Sequence, residues 1–321
     1  MASLHFMKSI QVVTSALNEE DCLLEFINRT VTVLESLSQY NYRILIMDNG
    51  SSDSTWDIVN SASKSNSRIR GIKLSRTFSF DAALTCGLDN CDSDYLVIMA
   101  SDLQDPPELI PKLIHEMESG FDQVVVRIRS RDSVPMLRRH LSKQFYRLAN
   151  WITKGMIPED VSDFRIMNKK TYMSSRKLRE SHRFLRGLNA WIGFKTGYVS
   201  IDRPKRFSGE SKWLGLSIFS VISHAVTSIL AHSSRPLMWV SASSITLSLI
   251  SLFTIPCLII FWLIYGVPFA GFGWMISLAL ASFTIIMLSF GVISLFISLI
   301  YEEVKQRPLY LISDVTEVSL N

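Results

Sequence analysis

The chain has 321 residues, 33 Lys and Arg against 29 Asp and Glu, and is 48% hydrophobic. That length suggests about two structural units. From Pro236 to Tyr301, 66 residues pass without one Asp, Glu, Lys, Arg or His. A bilayer span needs ~20 apolar residues, so this block predicts two spans and excludes a wholly soluble protein. The N-terminus lacks the basic flank and apolar run of a signal peptide, so secretion is not expected either.

In chain order, Ile10–Ser15, Arg43–Met47, Ile69–Leu74, Tyr95–Met99 and Gln123–Val126 read as buried strands rich in Val, Ile and Leu. Between them Glu19–Ser38, Ser54–Ser63, Asp81–Asn90 and Pro107–Ser119 have helical length. Asp53 or Ser54 can cap the second helix, and Pro106-Pro107 opens the fourth. Such alternation predicts an α/β fold with a mostly parallel sheet and helices on both faces. Ligands in such sheets bind beyond the carboxyl ends of the strands. The loops after Ser15, Met47, Met99 and Val126 are therefore the ones to search.

Further on, Ser133–Lys154 reads as a basic amphipathic helix, and Trp213–His232 as a second amphipathic helix in the membrane interface. The spans fall near Leu237–Tyr265 and Trp274–Tyr301, with Val267–Gly273 as a charge-free turn. Arg235, Lys305 and Arg307 flank the other ends, which puts both termini and the soluble part in the cytoplasm. The expected division is residues 1–212 soluble domain, 213–235 juxtamembrane helix, 236–301 helical hairpin and 302–321 tail.

Charge is divided along the chain. Residues 1–126 hold 9 basic and 18 acidic side chains, whereas residues 127–212 hold 21 and 7. This predicts an anionic ligand held near a membrane-facing surface. The adjoining anchor and the scarcity of aromatics among the arginines argue against nucleic acid. Cys22, Cys86, Cys91 and Cys257 form no metal or disulfide pattern, consistent with a reducing compartment.

The strand ends carry the chemistry. Leu17-Asn18-Glu19-Glu20 follows the first, and Asp48-Asn49-Gly50-Ser51-Ser52-Asp53-Ser54-Thr55 the second. A carboxylate followed by Gly and small hydroxyl residues suits the hydroxyls of a ribose and the edge of a base, or simply a capped turn. Ser101-Asp102-Leu103-Gln104-Asp105-Pro106-Pro107-Glu108 follows the fourth, where a divalent ion and a diphosphate can meet.

In that order these segments resemble the family-2 glycosyltransferases, and in detail the polyisoprenyl-phosphate glycosyltransferases. The resemblance continues through Arg76–Asp89 (RTFSFDAALTCGLD), Ser162–Met167 (SDFRIM), His182–Phe194 and Arg203–Trp213, essentially the whole chain. The bactoprenol glucosyl branch, with two terminal spans, is most similar. The resemblance implies a GT-A-like fold of Rossmann type and inverting transfer of a hexose, glucose by that branch, from a UDP-sugar to undecaprenyl phosphate. It implies Glu19, Asp48 and Gln104 at the nucleotide sugar, Asp102 and Gln104 at Mg²⁺ or Mn²⁺, and Asp163 with Asp102 as catalytic residues. The acceptor phosphate would meet Arg127, Arg129, Arg138, Arg139 and Ser142. Implied partners are the lipid bilayer, further copies in a tetramer, a flippase and a second glycosyltransferase serving cell-envelope or O-antigen glycan.

The chain departs from the family pattern. Ala100 replaces the first acid of Asp-x-Asp, Asn49 the second acid of DDGS, Ser15 and Leu17 the Pro and Tyr of P-x-Y-N-E, and Ser79 and Phe80 a Gly and a basic residue. These changes keep a catalytically impaired binding protein, or a different nucleotide sugar, as alternatives. A processive polysaccharide synthase is excluded by the lack of Gln-x-x-Arg-Trp and by too few spans.

Overall fold

The computed structural model describes residues 7–129, 147, 150, 161–181, 183–202, 235–265 and 271–316. It divides into two units, one built on a sheet and one on two long helices.

The sheet unit opens with β1 (Lys8–Ala16), α1 (Glu20–Ser36), β2 (Tyr40–Asp48), α2 (Thr55–Ser65), β3 (Ile69–Leu74), α3 (Phe80–Asp89) and β4 (Tyr95–Ile98). A 3-10 turn at Pro107–Leu109 leads into α4 (Ile110–Glu118) and β5 (Gln123–Ile128). The five strands and four helices predicted up to residue 126 are all present, with ends that coincide or move by at most three residues. Beyond them lie β6 (Val161–Asn168), α5 (Lys169–Lys177), α6 (Leu185–Trp191), β7 (Thr196–Ile201) and β8 (Ile312–Val315). The strand order is β7-β5-β6-β4-β1-β2-β3-β8. Four pairings are parallel, and β4–β6, β5–β6 and β3–β8 are antiparallel, so the sheet is mixed although mostly parallel.

Alternation along the strands feeds two cores. Ile10, Val12, Ile44, Ile46 and Val97 pack under α1, α2 and α4 with Phe26, Leu34, Val59 and Leu113. Val13, Leu45, Met47, Ile98 and Met167 pack under α3 with Leu84 and Leu88. Both faces are covered, which is why β1 is buried from Gln11 to Ala16. Helix α3 lies very close to the sheet: a Cβ on Gly87 would stand 2.3 Å from Val13 Cγ1 and 2.6 Å from Met47 Cε.

The topology puts one rim in charge of the chemistry. Strands β1, β2, β3 and β4 run in parallel and deliver their following loops to the same edge. Because β6 is antiparallel to β4, with Arg165 opposite Ile98, its first residues Val161–Phe164 emerge there too. Strands β5 and β7 end at that edge as well, with Arg127 opposite Ser200.

Residues read from sequence as a tail rejoin the sheet. Strand β8 pairs with β3, the Gly71 N–H donates to Thr316 Oγ1 at 2.9 Å, and Tyr310 Oη donates to Asp89. This covers an edge that would otherwise offer unpaired backbone groups.

In the helical unit, α7 (Arg235–Tyr265) and α8 (Phe272–Val304) are joined by a hydroxyl contact between Ser244 and Ser289 at 3.1 Å. Phe272 and Gly273, assigned from sequence to the turn, already belong to α8. Among the described residues, one segment, Ala281–Val304, is long and apolar enough to cross a membrane, and Leu237–Thr246 is a shorter apolar stretch. The expectation of two spans is thus met by one segment on length and composition. The basic amphipathic stretch (apart from residues 147 and 150) and the interfacial one lie outside the described residues.

Candidate active site

The first two loops are laced together. The Asn18 N–H donates to Ser51 Oγ, and the Ser52 N–H donates back to Asn18 Oδ1, both at 2.9 Å. The Glu19 N–H donates to Thr55 Oγ1, the Glu20 N–H to Asp53 Oδ2, and the Ser54 N–H to Glu20 Oε2. Asn18 adopts φ 48°, which a short polar side chain tolerates best after Gly. Asp53, not Ser54, supplies the side-chain bond at the start of α2, accepting from the Thr55 N–H.

Asp48 is fully buried at the end of β2. Its Oδ1 accepts the Ser51 N–H at 3.0 Å, and its Oδ2 is buried without a partner. A buried carboxylate oxygen left unpaired is costly, so it fits a site completed by a ligand N–H or O–H. Asn49 has a separate task. Its amide donates to the Phe78 carbonyl and accepts the Phe78 N–H, each at 2.9 Å. A carboxylate cannot make both bonds, so this departure from the family pattern has a structural cause.

Gly50 holds the same junction at φ 74°, where a Cβ would sit 2.6 Å from the Arg76 carbonyl carbon and 2.7 Å from Thr77 N. Gly50→Ala is expected to cost about 2 kcal/mol or more, from the left-handed backbone and the displaced loop. The checks are a lowered Tm and weakened nucleotide binding.

The fourth loop is tied to both sides. Ser101 Oγ donates to the Ser15 carbonyl, and Ser162 Oγ donates to the buried Asp105 carboxylate at 3.1 Å. Asp102 Oδ1 accepts the Gln104 N–H at 3.1 Å, and its Oδ2 accepts no hydrogen bond among the described residues. No group of three or more His, Cys, Asp or Glu there could hold a metal ion by itself. The donor set therefore fits an ion that keeps much of its water and takes other ligands from substrate, as Mg²⁺ does.

A charge cluster lies beside the fourth loop, at the start of β6, the strand next to β4. Asp163 on β6 accepts two bonds from Arg186 on α6, Nε to Oδ1 at 2.6 Å and Nη2 to Oδ2 at 2.5 Å. Arg165, buried two residues on, donates to the Ser162 and Asp163 carbonyls; burial lowers its pKa to about 10 while Asp163 pulls it back up. Asp81, in the first turn of α3, accepts the Leu185 N–H at 3.0 Å. Burial and the neighbouring Asp163 push its pKa up to about 6, against that N–H, Arg186 and Arg183. Arg183 is 8% exposed and donates to the Ser175 carbonyl, with Nε and Nη1 unpartnered among the described residues.

Of the acceptor-side arginines expected from sequence, Arg127 stacks on Tyr198 with its guanidinium 4.4 Å from the ring centre, and Arg129 is exposed just after β5. Strand alternation places Arg127 on the sheet face that also carries Asp163 and Arg165. Arg138, Arg139 and Ser142 lie outside the described residues. Sequence reading gave no separate role to Asp81, Arg165, Arg183 or Arg186, and placed Asp105 only as a member of the loop after β4. The one trace of Asp81 in the sequence is its place at the head of an uncharged run, Ala82–Leu88.

The family model for glycosyl transferase family 2 matches residues 11–175, which include β1 to β6 and these loops. The chain belongs to glycosyl transferase family 2. It is 34% identical over 95% of its length to an uncharacterized glycosyltransferase of Synechocystis sp., covering 95% of that protein. It is 31% identical to the bactoprenol glucosyl transferase of Shigella phage SfX, over 94% of this chain and 98% of that one. A prophage homolog of bactoprenol glucosyl transferase in Escherichia coli K12 is 30% identical over 95% and 99% of the two chains. Among solved structures, glucosyl-3-phosphoglycerate synthase from Mycobacterium tuberculosis covers 71% of this chain, and this chain covers 80% of it, at TM-score 0.49 and 18% identity. The chain is thus a glycosyltransferase enzyme, similar over nearly its whole length to proteins named bactoprenol glucosyl transferase.

Proposed function

We propose that the enzyme transfers glucose, with inversion, from UDP-glucose to a polyprenyl phosphate, undecaprenyl phosphate in a bacterial membrane. The observation that carries the reading is the division of one sheet rim. Asp48 after β2 and Asp102 after β4 offer carboxylate oxygens, and on β6, the strand beside β4, Asp163 and Arg165 meet Arg186, with Arg127 on the same sheet face. A nucleotide donor supplies N–H and O–H groups to the first, and a phosphate acceptor meets the second. The relatives named bactoprenol glucosyl transferase support that donor and acceptor pair.

The residues divide the work. Glu19 and Asp48 hold the uridine, while Asp102 and Gln104 would hold a divalent ion, Mg²⁺ or Mn²⁺, and such an ion would supply positive charge to the departing diphosphate. A phosphomonoester has a second pKa of ~6 and is largely ionised at neutral pH, so its oxygen attacks the anomeric carbon with little need of a base. Asp163 then acts first by orienting Arg186 and only second as a proton acceptor. Arg127, Arg129, Arg138, Arg139 and Ser142 compensate the entering phosphate. The bonds made by Asn49 count against an impaired enzyme, because that residue serves the loop junction instead of marking a lost ligand.

The lipid acceptor calls for a membrane hairpin in which α7 and α8 both cross. Strand β8 supports this by parity: a chain that leaves the sheet unit, crosses once and still returns to pair with β3 must cross again. The positive flanks favour a cytoplasmic sheet unit. In a background with the other cysteines replaced, Gly271→Cys is expected to react with impermeant thiol reagents only from the non-cytoplasmic side. Labelling from the cytoplasm would overturn the topology. The test of function is label from UDP-glucose appearing in a lipid extract, with and without Mg²⁺. Label that stays in the aqueous phase would overturn the acceptor, and mass spectrometry of the lipid product identifies the sugar.

A further inference from the structure

We propose that Asp81 takes up a proton when an anionic phosphate enters beside Asp163 and Arg186, so that Asp163 stays ionised. The proposal rests on the phosphate-acceptor reading above.

The geometry assigns the two carboxylates different roles. Asp163 receives two charge-assisted bonds from Arg186, which stabilise its ionised form. Asp81 receives one bond, from the backbone N–H of Leu185, the residue before Arg186. It is partly buried at the head of α3, whose next seven residues are all buried. The charged groups that face it are Asp163 and Arg165 from β6, and Arg183 and Arg186 from the start of α6 and the segment before it. From α5, Arg176 lies at the far end of α3, bound to the carbonyls of Leu88 and Cys91. Strands β1 and β2 meet α3 with Val13, Leu45 and Met47, which carry no charge.

A phosphate arriving in this cluster brings up to two negative charges and competes for the N–H groups of Arg186. Two carboxylates that lose shared cationic compensation do not both remain ionised, and the less well-bonded one binds a proton. That one is Asp81, whose pKa already stands at about 6 through burial and Asp163. The proton comes from solvent and no covalent bond to carbon is involved. Linkage then requires acceptor affinity to fall as pH rises above the free-state value, at most tenfold per pH unit. The acceptor's own second ionisation favours binding in the opposite direction over the same range.

The test uses the detergent-solubilised full chain with farnesyl phosphate as the probe. Asp81→Asn keeps an oxygen for the Leu185 N–H and removes the titration. Calorimetry at pH 7 in buffers of different ionisation enthalpy is expected to show proton uptake on binding to the wild type, and less by a sizeable fraction of a proton in the variant. Acceptor KM of the wild type should rise about three- to tenfold more between pH 6 and pH 8 than that of the variant. Equal proton uptake and parallel KM profiles would overturn the proposal while leaving the acceptor reading intact. Should the variant not fold, a wild-type acceptor KM that is flat or falls from pH 6 to pH 8, with no proton uptake, overturns it equally. Absence of any farnesyl phosphate binding overturns the acceptor reading, and the proposal with it.

Discussion

Asp102→Ala is expected to lower kcat for glycosyl transfer on the order of 10³-fold or more, with the protein still folded. The size follows from the thinness of the donor set. Ala100 stands where the family pattern has an acid, and no cluster of three acids, His or Cys among the described residues can replace Asp102. An ion at a departing diphosphate contributes several kcal/mol of charge stabilisation, and here one carboxylate would anchor it. The Gln104 N–H would also lose its acceptor, at a cost of about 1 kcal/mol in a loop already tied by Ser101 and Asp105. Transfer rates should be measured across Mg²⁺ and Mn²⁺ concentrations beside a melting curve. A folded variant with substantial metal-dependent activity would remove Asp102 from the site. Ala100→Asp is the converse test, and it should raise metal affinity when UDP is present.

Asp48→Asn is expected to weaken UDP binding about ten- to a hundredfold with little change in Tm. The wild-type Oδ2 is a buried acceptor with no partner among the described residues, poised for a ligand donor. In the variant, Asn Oδ1 can still accept the Ser51 N–H, while an NH₂ group faces the ligand donor in place of an oxygen. One lost charged hydrogen bond is worth ~1.5–3 kcal/mol, which is that change in affinity. Calorimetric titration with UDP reads it directly. Unchanged affinity would mean that Oδ2 does not touch the nucleotide.

The two predictions differ in how they became visible. Asp48 and Asp102 sit at the carboxyl ends of strands that the run of Val, Ile and Leu already marked, and the parallel order of β1, β2 and β4 sends such ends to one rim. Hydrophobic periodicity and strand-end composition are local properties, so they can be read without coordinates. The same holds for the uncharged block from Pro236 to Tyr301, which overlaps the one described segment long and apolar enough to cross a membrane, Ala281–Val304.

Asp81 carried no such mark. Its meaning depends on α3 lying against the sheet while β6 and the start of α6 bring Asp163 and Arg186 to its carboxyl. Strand β6 itself escaped the pattern because Ser162, Asp163 and Arg165 interrupt its apolar run. Arg165 is nevertheless buried, a position for arginine that neighbouring carboxylates and carbonyls make tolerable. Asn49 looked like a lost acid until its two bonds to Phe78 were in view. Strand β8 looked like a tail because its partner, β3, lies some 240 residues earlier. What the sequence determined by itself was the layered fold, the rim and the uncharged apolar block, since each follows from local periodicity and composition. The tertiary structure alone decided which charges meet, because pairing across the sheet depends on strand register and direction, which local composition does not encode.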